Sequence, residues 1–304
     1  MRVRFPLPAP SSETRPTSPR RGHRQVCVAN LGSTRRVHHK IMLPILFELP
    51  FFKLKSLTLL AFLAVFFSAF IFWRKGREEH YNTFEIFDAF LLSGLFGFIV
   101  GRIVFVISHW ASFSQNIINI FNVVEKSGNM PFVALVAAVL FLYRYANKRK
   151  WDAFEILDFY VTAISLGMVF IYVGFFLDGS YGGTFTNLPW GIITIGTFEK
   201  THPAQLYAFL YYLLAYIYLS KIEYIYRTLE WYRSGKKTAQ SGFLFSTFLI
   251  FTATFHLLTE TVRLPGLFIV GISLDYLIYL AMLVFGLILL YRRSGRTFSF
   301  FKKS

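Results

Sequence analysis

Cysteine is almost missing from the sequence, because Cys27 is the only one. A single thiol excludes an intramolecular disulfide, and its place in the first 41 residues leaves the rest of the chain without a thiolate nucleophile or a cysteine metal site. Acidic residues are also few, with 16 Asp and Glu against 32 Lys and Arg in 304 residues. A large soluble helical protein needs more charge on its helix faces, so the composition argues against that class.

Long apolar runs take the place of the missing charge. The chain is 55% hydrophobic and 19% aromatic, with a mean hydropathy of +0.48, far above an ordinary soluble domain. A helix that crosses a bilayer needs about 20 mostly apolar residues. The sequence therefore predicts an all-α integral membrane protein with about seven transmembrane helices. The predicted spans are 56–73, 84–109, 131–147, 154–177, 204–220, 242–260 and 267–291.

Lysine and arginine are concentrated on one side of this predicted domain. Seventeen of them follow the odd-numbered spans, and three lie in the loops of the other side. Cytoplasmic loops carry an excess of these residues, which places the C-terminus in the cytoplasm and, with seven spans, the N-terminus outside. The seventeen are Arg74, Lys75, Arg77, Arg144, Lys148, Arg149, Lys150, Lys221, Arg227, Arg233, Lys236, Lys237, Arg292, Arg293, Arg296, Lys302 and Lys303. The three are Lys126, Lys200 and Arg263.

The first 41 residues do not fit the membrane domain that follows. They hold nine basic residues against the single acid Glu13, and five of the 11 prolines, a composition that predicts a disordered extension. Either this is an Arg- and Ser-rich targeting segment, or the reading frame begins at Met42, which we favour. Residues 42–304 then form one polytopic membrane domain. Because the extension carries half of the formal net charge of +16, no nucleic-acid partner is predicted.

Ionisable side chains inside the apolar runs are the candidate functional groups, because a charge at membrane depth is costly. Arg102 lies deep in the second span. It is either neutralised by a carboxylate elsewhere or forms a cationic site for an anionic headgroup, which a planar guanidinium suits. At the end of the sixth span, His256, Glu260 and Arg263 share one helix face. They form either a self-contained salt bridge or the lining of a polar cavity where Arg263 meets a phosphate.

The segment FFLDGSYGGTFTNLPWGIITIGTFEKTHPAQLY joins the fourth and fifth spans. Its Gly, Thr, Asn and Asp residues predict an ordered external loop rather than a linker. The fifth span begins at Pro203, which suits a first helical turn, and His202 and Gln205 lie beside it. Since a helix N-terminus favours an anion, we expect these two residues to face a polar external cavity.

Four segments in this order resemble the prolipoprotein diacylglyceryl transferase family. DAFLLSGLFGFIVGRIVFVI is similar to the family's helix ending in Gly-Ala-Arg-Leu-Gly-Tyr and places Arg102 on its arginine. DGSYGGTFTNLPWG is similar to Asn-Gly-Glu-x-x-Gly…Leu-Pro-Trp-Gly and places Gly183. THPAQLY resembles Arg-His-Pro-x-Gln-Leu-Tyr, and HLLTETVR resembles Arg-Phe-x-x-Glu-Phe-x-Arg with Glu260 and Arg263 in place. The resemblance covers 45–292.

The resemblance implies a multi-pass protein of the bacterial inner membrane with seven helices, N-out and C-in. It implies transfer of diacylglyceryl from phosphatidylglycerol to the lipobox cysteine thiol of a precursor protein, with release of glycerol phosphate and without cofactor or metal. The expected partners are this anionic phospholipid and the lipobox precursor. We predict lipid binding by Arg102, Arg263, Gln205 and Gly183, and catalytic roles for His202, His256 and Glu260.

The sequence departs from the family pattern at four signature positions. Tyr172 stands at the phosphate-binding arginine, Phe175 at the asparagine, Ser180 at the glutamate and Val133 at the histidine proposed as base. Valine and phenylalanine can neither deprotonate a thiol nor stabilise a leaving phosphate. Two interpretations stay open: a diverged transferase with a rearranged site, and a non-catalytic relative that binds anionic lipid or precursor. A transporter is disfavoured because the spans show no obvious internal repeat.

Overall fold

The computed structural model describes residues 42–49, 52–114, 120, 128, 130–194, 197–226, 240–263, 268–269 and 272–293. Within these residues the chain forms eight helices and two small antiparallel hairpins. The helices are α1 Ser56–Glu78, α2 Thr83–Ser108, α3 Trp110–Phe113, α4 Pro131–Lys148, α5 Ala153–Asp178, α6 Ala204–Tyr226, α7 Phe243–Thr259 and α8 Leu274–Arg293. The strands are β1 Ile45–Leu49, β2 Phe52–Lys55, β3 Phe268–Ile269 and β4 Ile272–Ser273. The extension 1–41 lies outside the described residues, so its disorder and its translation stay predictions.

Four helices are long and apolar enough to cross a membrane: α1, α2, α5 and α8. The apolar helix α7 is shorter, at 17 residues. Large apolar side chains also lie exposed on the outer faces of the helices, among them Phe66, Leu95, Leu140, Leu214 and Leu280. Such a surface is typical of a protein in contact with lipid. The helical membrane architecture therefore agrees with the sequence, while the count of seven spans and the orientation stay predictions.

The first part of the predicted span 267–291 is not helical. Phe268 pairs with Ser273 and Ile269 with Ile272 in the β3–β4 hairpin, and α8 begins only at Leu274. The hairpin β1–β2, which precedes α1, was also not predicted. The sequence between Phe268 and Ser273 is apolar throughout and includes Gly271, so hydropathy alone does not distinguish it from the start of a membrane helix.

The helix pairs α1–α2 and α4–α5 are two copies of one hairpin, offset by 70 residues. The second helix of each copy begins with a related sequence, NTFEIFD at 82–88 and DAFEILD at 152–158. Asn82 and Asp152 cap these helices in the same way, each accepting bonds of 3.0 and 3.4 Å from the backbone N–H groups two and three residues later. The residues just before the caps, His80 and Lys150 two positions earlier, both have positive φ, 66° and 60°.

The two copies exchange partners, because α1 packs on α5 and α2 packs on α4. Gly97 of α2 lies against the backbone of Ala134 and the side chain of Ala138 in α4, so an added Cβ would overlap both. Seventy residues later, Gly167 of α5 lies in the same way against Ala64 and Ser68 of α1. Equivalent glycines therefore make equivalent close approaches, as small residues do between membrane helices.

This repeat corrects the sequence analysis, which found no obvious internal repeat and used that absence against a transporter. Only the short cap segments are similar in sequence, and the contacts at Gly97 and Gly167 join residues far apart in the chain, so the relation is visible in the packing rather than in the letters. The absence of a repeat therefore gives no argument about function. The offset also makes Tyr172 the counterpart of Arg102.

We expect Gly97→Leu to lower the free energy of unfolding by about 1–3 kcal/mol, because the new side chain would be forced into the α2–α4 contact. Gly167→Leu should cost somewhat less, since the nearest atom there is the Ser68 hydroxyl, which can rotate. Gly94→Leu is the matched control, because a Cβ at Gly94 would meet no atom within 4 Å. Thermal unfolding of the purified variants in one detergent measures all three. Equal losses at positions 94 and 97 would contradict the described packing.

Buried polar groups join α1, α5, α6 and α7. The ammonium of Lys75 forms an ion pair with Glu223, and Thr162 donates a hydrogen bond of 2.9 Å to the same carboxylate. The fully buried Asp158 accepts bonds of 2.8 Å from the backbone N–H groups of Gly242 and Phe245 at the start of α7. This group of side chains fixes the ends of four helices that the apolar contacts alone leave free to slide.

Candidate functional site

Three backbone segments meet at Gly183 in the loop between α5 and α6. The N–H of Gly183 donates to the carbonyl of His202 at 3.1 Å, and the N–H of Thr184 donates to the carbonyl of Val262 at 2.8 Å. A Cβ at Gly183 would lie 2.6 Å from the Cβ of His202 and 2.7 Å from the carbonyl oxygen of Val262. Only glycine permits this approach. We call Gly183, Thr184, His202 and Val262 the Gly183 junction.

Glu260 and Arg263 lie at the edge of this junction, just beyond the end of α7. Arg263 Nη1 is 3.7 Å from Glu260 Oε2, and the buried Ser273 donates to Glu260 Oε1 at 3.4 Å. Burial raises the pKa of the Glu260 carboxyl above its ordinary value, and Arg263 opposes that rise. The carboxylate is almost inaccessible, but the Arg263 side chain keeps 25% exposure. The pair is thus a salt bridge with an accessible cationic side.

Aromatic rings fill the space beneath Arg263. Its guanidinium lies 4.3 Å from the ring centroid of Tyr181, a cation–π distance. Tyr181 stacks on Phe175 at 5.5 Å and meets Tyr172 edge-on at 5.2 Å. Tyr172 in turn stacks on Tyr212 at 5.4 Å. We call Tyr172, Phe175, Tyr181 and Tyr212 the aromatic layer, and two of its members are substituted signature positions.

The two candidate histidines have different surroundings. His256 is buried, stacks on Tyr279 at 4.7 Å, and its Nε2 lies 3.0 Å from the Tyr212 hydroxyl. His202 is half-buried in the Gly183 junction, with Nδ1 3.4 Å from the Tyr207 hydroxyl. That hydroxyl also accepts a bond of 2.9 Å from the indole N–H of Trp190. His202 is therefore the more accessible of the two imidazoles.

Gln205 lies on the other side of the loop, in the first turn of α6. Its side chain is fully buried, and its Nε2 donates a bond of 2.6 Å to the carbonyl of Ser180. The buried oxygen atoms Gln205 Oε1 and Ser180 Oγ have no hydrogen-bond partner in the described part of the chain. Ser180, which stands at the position of the family's glutamate, is thus part of the same local structure as Gln205.

Arg102 lies in a separate set of contacts. Its guanidinium donates to the carbonyls of Gly128 at 2.7 Å and Ile120 at 3.2 Å, and it lies over the rings of Phe105 and Phe113. These partners belong to α2 and the segment after it, whereas the partners of Arg263 belong to the α5–α6 loop and the end of α7. The convergence of the two arginines on one pocket therefore stays a prediction.

The fourth substituted position, Val133, lies half-buried in the first turn of α4. A cavity of about 560 Å³ opens between α4, α5, α7 and α8, and its lining is apolar. Leu135, Leu157, Phe248 and Phe285 are among its lining residues. Its walls include none of the residues that the sequence predicted for the site.

Sequence reasoning missed Tyr181, Tyr207, Tyr212 and Tyr279. Tyr181 stands directly between Ser180 and the glycine pair that carried the resemblance, and its positive φ of 62° sets it apart. In a chain with 17 tyrosines, the residue type itself gave no signal. The contacts of Tyr212 and Tyr279 join different helices, so spacing along the chain does not reveal them.

Comparison with known proteins decides the family. The family profile described as prolipoprotein diacylglyceryl transferase matches residues 44–292. The chain belongs to this family. The match includes the Gly183 junction, the Glu260–Arg263 pair and the aromatic layer, and it confirms the membership predicted from the four sequence segments.

Curated relatives of this prolipoprotein diacylglyceryl transferase family member carry the name phosphatidylglycerol–prolipoprotein diacylglyceryl transferase. The protein from Clostridium tetani is 26% identical over 230 residues, which cover 73% of this chain and 86% of that protein. The one from Finegoldia magna is 26% identical over 214 residues, 70% and 81% of the two chains. The one from Aeromonas hydrophila is 28% identical over 237 residues, 73% and 81%.

Proposed function

We propose that the protein is a diverged phosphatidylglycerol–prolipoprotein diacylglyceryl transferase of the bacterial cytoplasmic membrane. Family membership across 44–292 and the names of the relatives support the reaction class. The apolar helices and the one-sided distribution of basic residues support seven spans with the N-terminus outside and the α5–α6 loop external. The observation that carries the proposal is the partly exposed Arg263, held by Glu260 beside the Gly183 junction.

The reaction needs a thiol without its proton and a stabilised leaving phosphate. The thiolate sulfur of the precursor cysteine forms a bond to the glyceryl carbon as the bond between that carbon and the phosphate oxygen breaks, and glycerol phosphate leaves. Arg263 is the group that faces the phosphate, because its guanidinium is accessible and can bind two oxygens at once. Glu260 orients Arg263 through their ion pair.

His202 is the better candidate for the base that takes the thiol proton. It is half-buried and belongs to the junction that also positions Arg263, through the bridge between Gly183 and Arg263. His256 is buried, stacked on Tyr279 and hydrogen-bonded to Tyr212. In this proposal His256 holds the aromatic layer in place under Arg263 rather than contacting substrate. Arg102 and Gln205 complete the lipid-binding residues.

One observation favours the second candidate function, a non-catalytic relative that binds lipid or precursor. Apolar and aromatic side chains stand at Val133, Tyr172 and Phe175, where the family resemblance places a base, a cation and an amide. The aromatic layer is well packed, so these positions are structurally settled without charge.

Purified protein in vesicles with radiolabelled phosphatidylglycerol and a lipobox peptide separates the two functions. A transferase should move label to the peptide, and His202→Gln should lower the rate by about 10²–10⁴-fold, the usual contribution of a general base. Phe198→Gln, an exposed change in the same loop, is the control and should leave the rate unchanged. Lipid binding without label transfer would establish the non-catalytic function instead.

A further inference from the structure

Two buried polar atoms beside the candidate site lack partners among the described residues, Gln205 Oε1 and Ser180 Oγ. The orientation of the Gln205 amide is set by its other end, because only Nε2 can donate to the Ser180 carbonyl at 2.6 Å. Oε1 is therefore an acceptor that the fold holds in a defined direction. The side chain that carries it has 0% exposure.

Such atoms are costly to bury and are usually paired in folded proteins. A leucine or methionine at position 205 would fill similar space without an orphan acceptor. Two orphan atoms on side chains that touch through a hydrogen bond indicate one missing hydrogen-bonding group rather than two separate defects. The group must donate to Gln205 Oε1, and it can either donate to or accept from the Ser180 hydroxyl.

The neighbourhood identifies the kind of molecule that brings this group. Ser180 is followed by Tyr181, whose ring lies 4.3 Å from the Arg263 guanidinium. An accessible cation and an orphan acceptor therefore lie on either side of one tyrosine. A ligand that meets both carries an anionic phosphate and, close to it, a hydroxyl.

We propose that Gln205 and Ser180 bind a hydroxyl of the glycerol phosphate moiety whose phosphate faces Arg263, and so make the site selective for a polyol headgroup. This inference rests on the proposed function, since it assigns the headgroup selectivity of the same lipid site. The shared chemistry is that of glycerol phosphate, either as the lipid headgroup or as the free product.

The test compares phosphatidylglycerol with phosphatidic acid, which is anionic but has no headgroup hydroxyl. Full-length protein in nanodiscs of a zwitterionic lipid is titrated with each of them, and Kd is measured. The wild type should prefer phosphatidylglycerol by about tenfold, the size expected for one hydrogen-bonded pair. Ser180→Ala and Gln205→Met should each reduce the preference to about twofold or less. Gln240→Met, the same change at an exposed glutamine, should keep it.

Stability separates a ligand site from a structural role. Ser180→Ala removes a hydroxyl that has no partner, so without phosphatidylglycerol its Tm should equal or exceed that of the wild type. Gln205→Met also loses the bond to Ser180, so Ser180→Ala is the decisive variant. Competition with soluble glycerol phosphate shows whether the free moiety or only the lipid reaches the site.

Each outcome has one meaning. If the wild type binds both anionic lipids equally, or if both variants keep the full preference, a water molecule fills the subsite and the inference is wrong while the proposed function stands. If the wild type binds neither anionic lipid above the zwitterionic background, the proposed lipid site and this inference fail together.

Discussion

Replacing Arg263 by glutamine should lower diacylglyceryl transfer by about 10²–10³-fold, the effect typical of removing one group that stabilises developing charge. Arg263 is the partly exposed cation of the Gly183 junction, and its ion pair with Glu260 fixes its position. Glutamine keeps hydrogen-bond donors but loses the charge that a leaving phosphate needs. The initial rate of label transfer to a lipobox peptide, at saturating phosphatidylglycerol, measures the loss.

The matched control is Lys200→Gln, which removes an exposed positive charge from the same loop. It should change the rate by less than about twofold, since an exposed charge is screened by salt. Arg263→Lys should recover only part of the activity, because an ammonium cannot bind two phosphate oxygens as a guanidinium does. Equal rates for Arg263→Gln and Lys200→Gln would show that the phosphate binds elsewhere, with Arg102 as the next candidate.

Replacing Lys75 by methionine should lower the free energy of unfolding by about 3–5 kcal/mol, the range seen when a buried ion pair loses one member. Lys75 pairs with Glu223, whose side chain has only 2% exposure. Methionine has a similar length and apolar character, so packing changes little. The Glu223 carboxylate would remain buried, with the Thr162 hydroxyl still donating to it but without its ion-pair partner.

The double variant Lys75→Met, Glu223→Leu should regain most of this stability, because buried ion pairs are often replaceable by apolar residues of similar volume. The control is Arg74→Met at the neighbouring position. Arg74 pairs with Glu78, and their side chains are 57% and 30% exposed, so its loss should be below about 1 kcal/mol. Urea unfolding in a fixed detergent measures all three. A loss at Arg74 as large as that at Lys75 would mean that burial does not govern these pairs.

The helices and the family could be predicted from the sequence because their signals are local. Apolar runs define the body of each long helix, and Asn82 and Asp152 stand at helix starts where their side chains accept backbone hydrogen bonds. The order of the motifs around Gly183, Glu260 and Arg263 gave the family, since it needs only positions along the chain. The pairing of Glu260 with Arg263 also followed from their spacing of three residues.

The partners of His256 and Gln205 could not be predicted, because they come from distant parts of the chain. The sequence put His256 on one face with Glu260, but its side chain stacks on Tyr279 and is hydrogen-bonded to Tyr212. Gln205 was expected to face a polar cavity, and its bond to Ser180 depends on how the loop turns back over α6. The β3–β4 hairpin was missed because its residues are as apolar as those of α8.

The exchange of partners between the two hairpins has a consequence for biosynthesis. Since α1 rests mainly on α5 and α2 mainly on α4, the first two helices enter the bilayer before their principal neighbours have been translated. They must wait there as independently inserted segments, surrounded by lipid and by each other. Assembly of the four-helix unit becomes complete only once the ribosome has passed the end of α5, near Asp178.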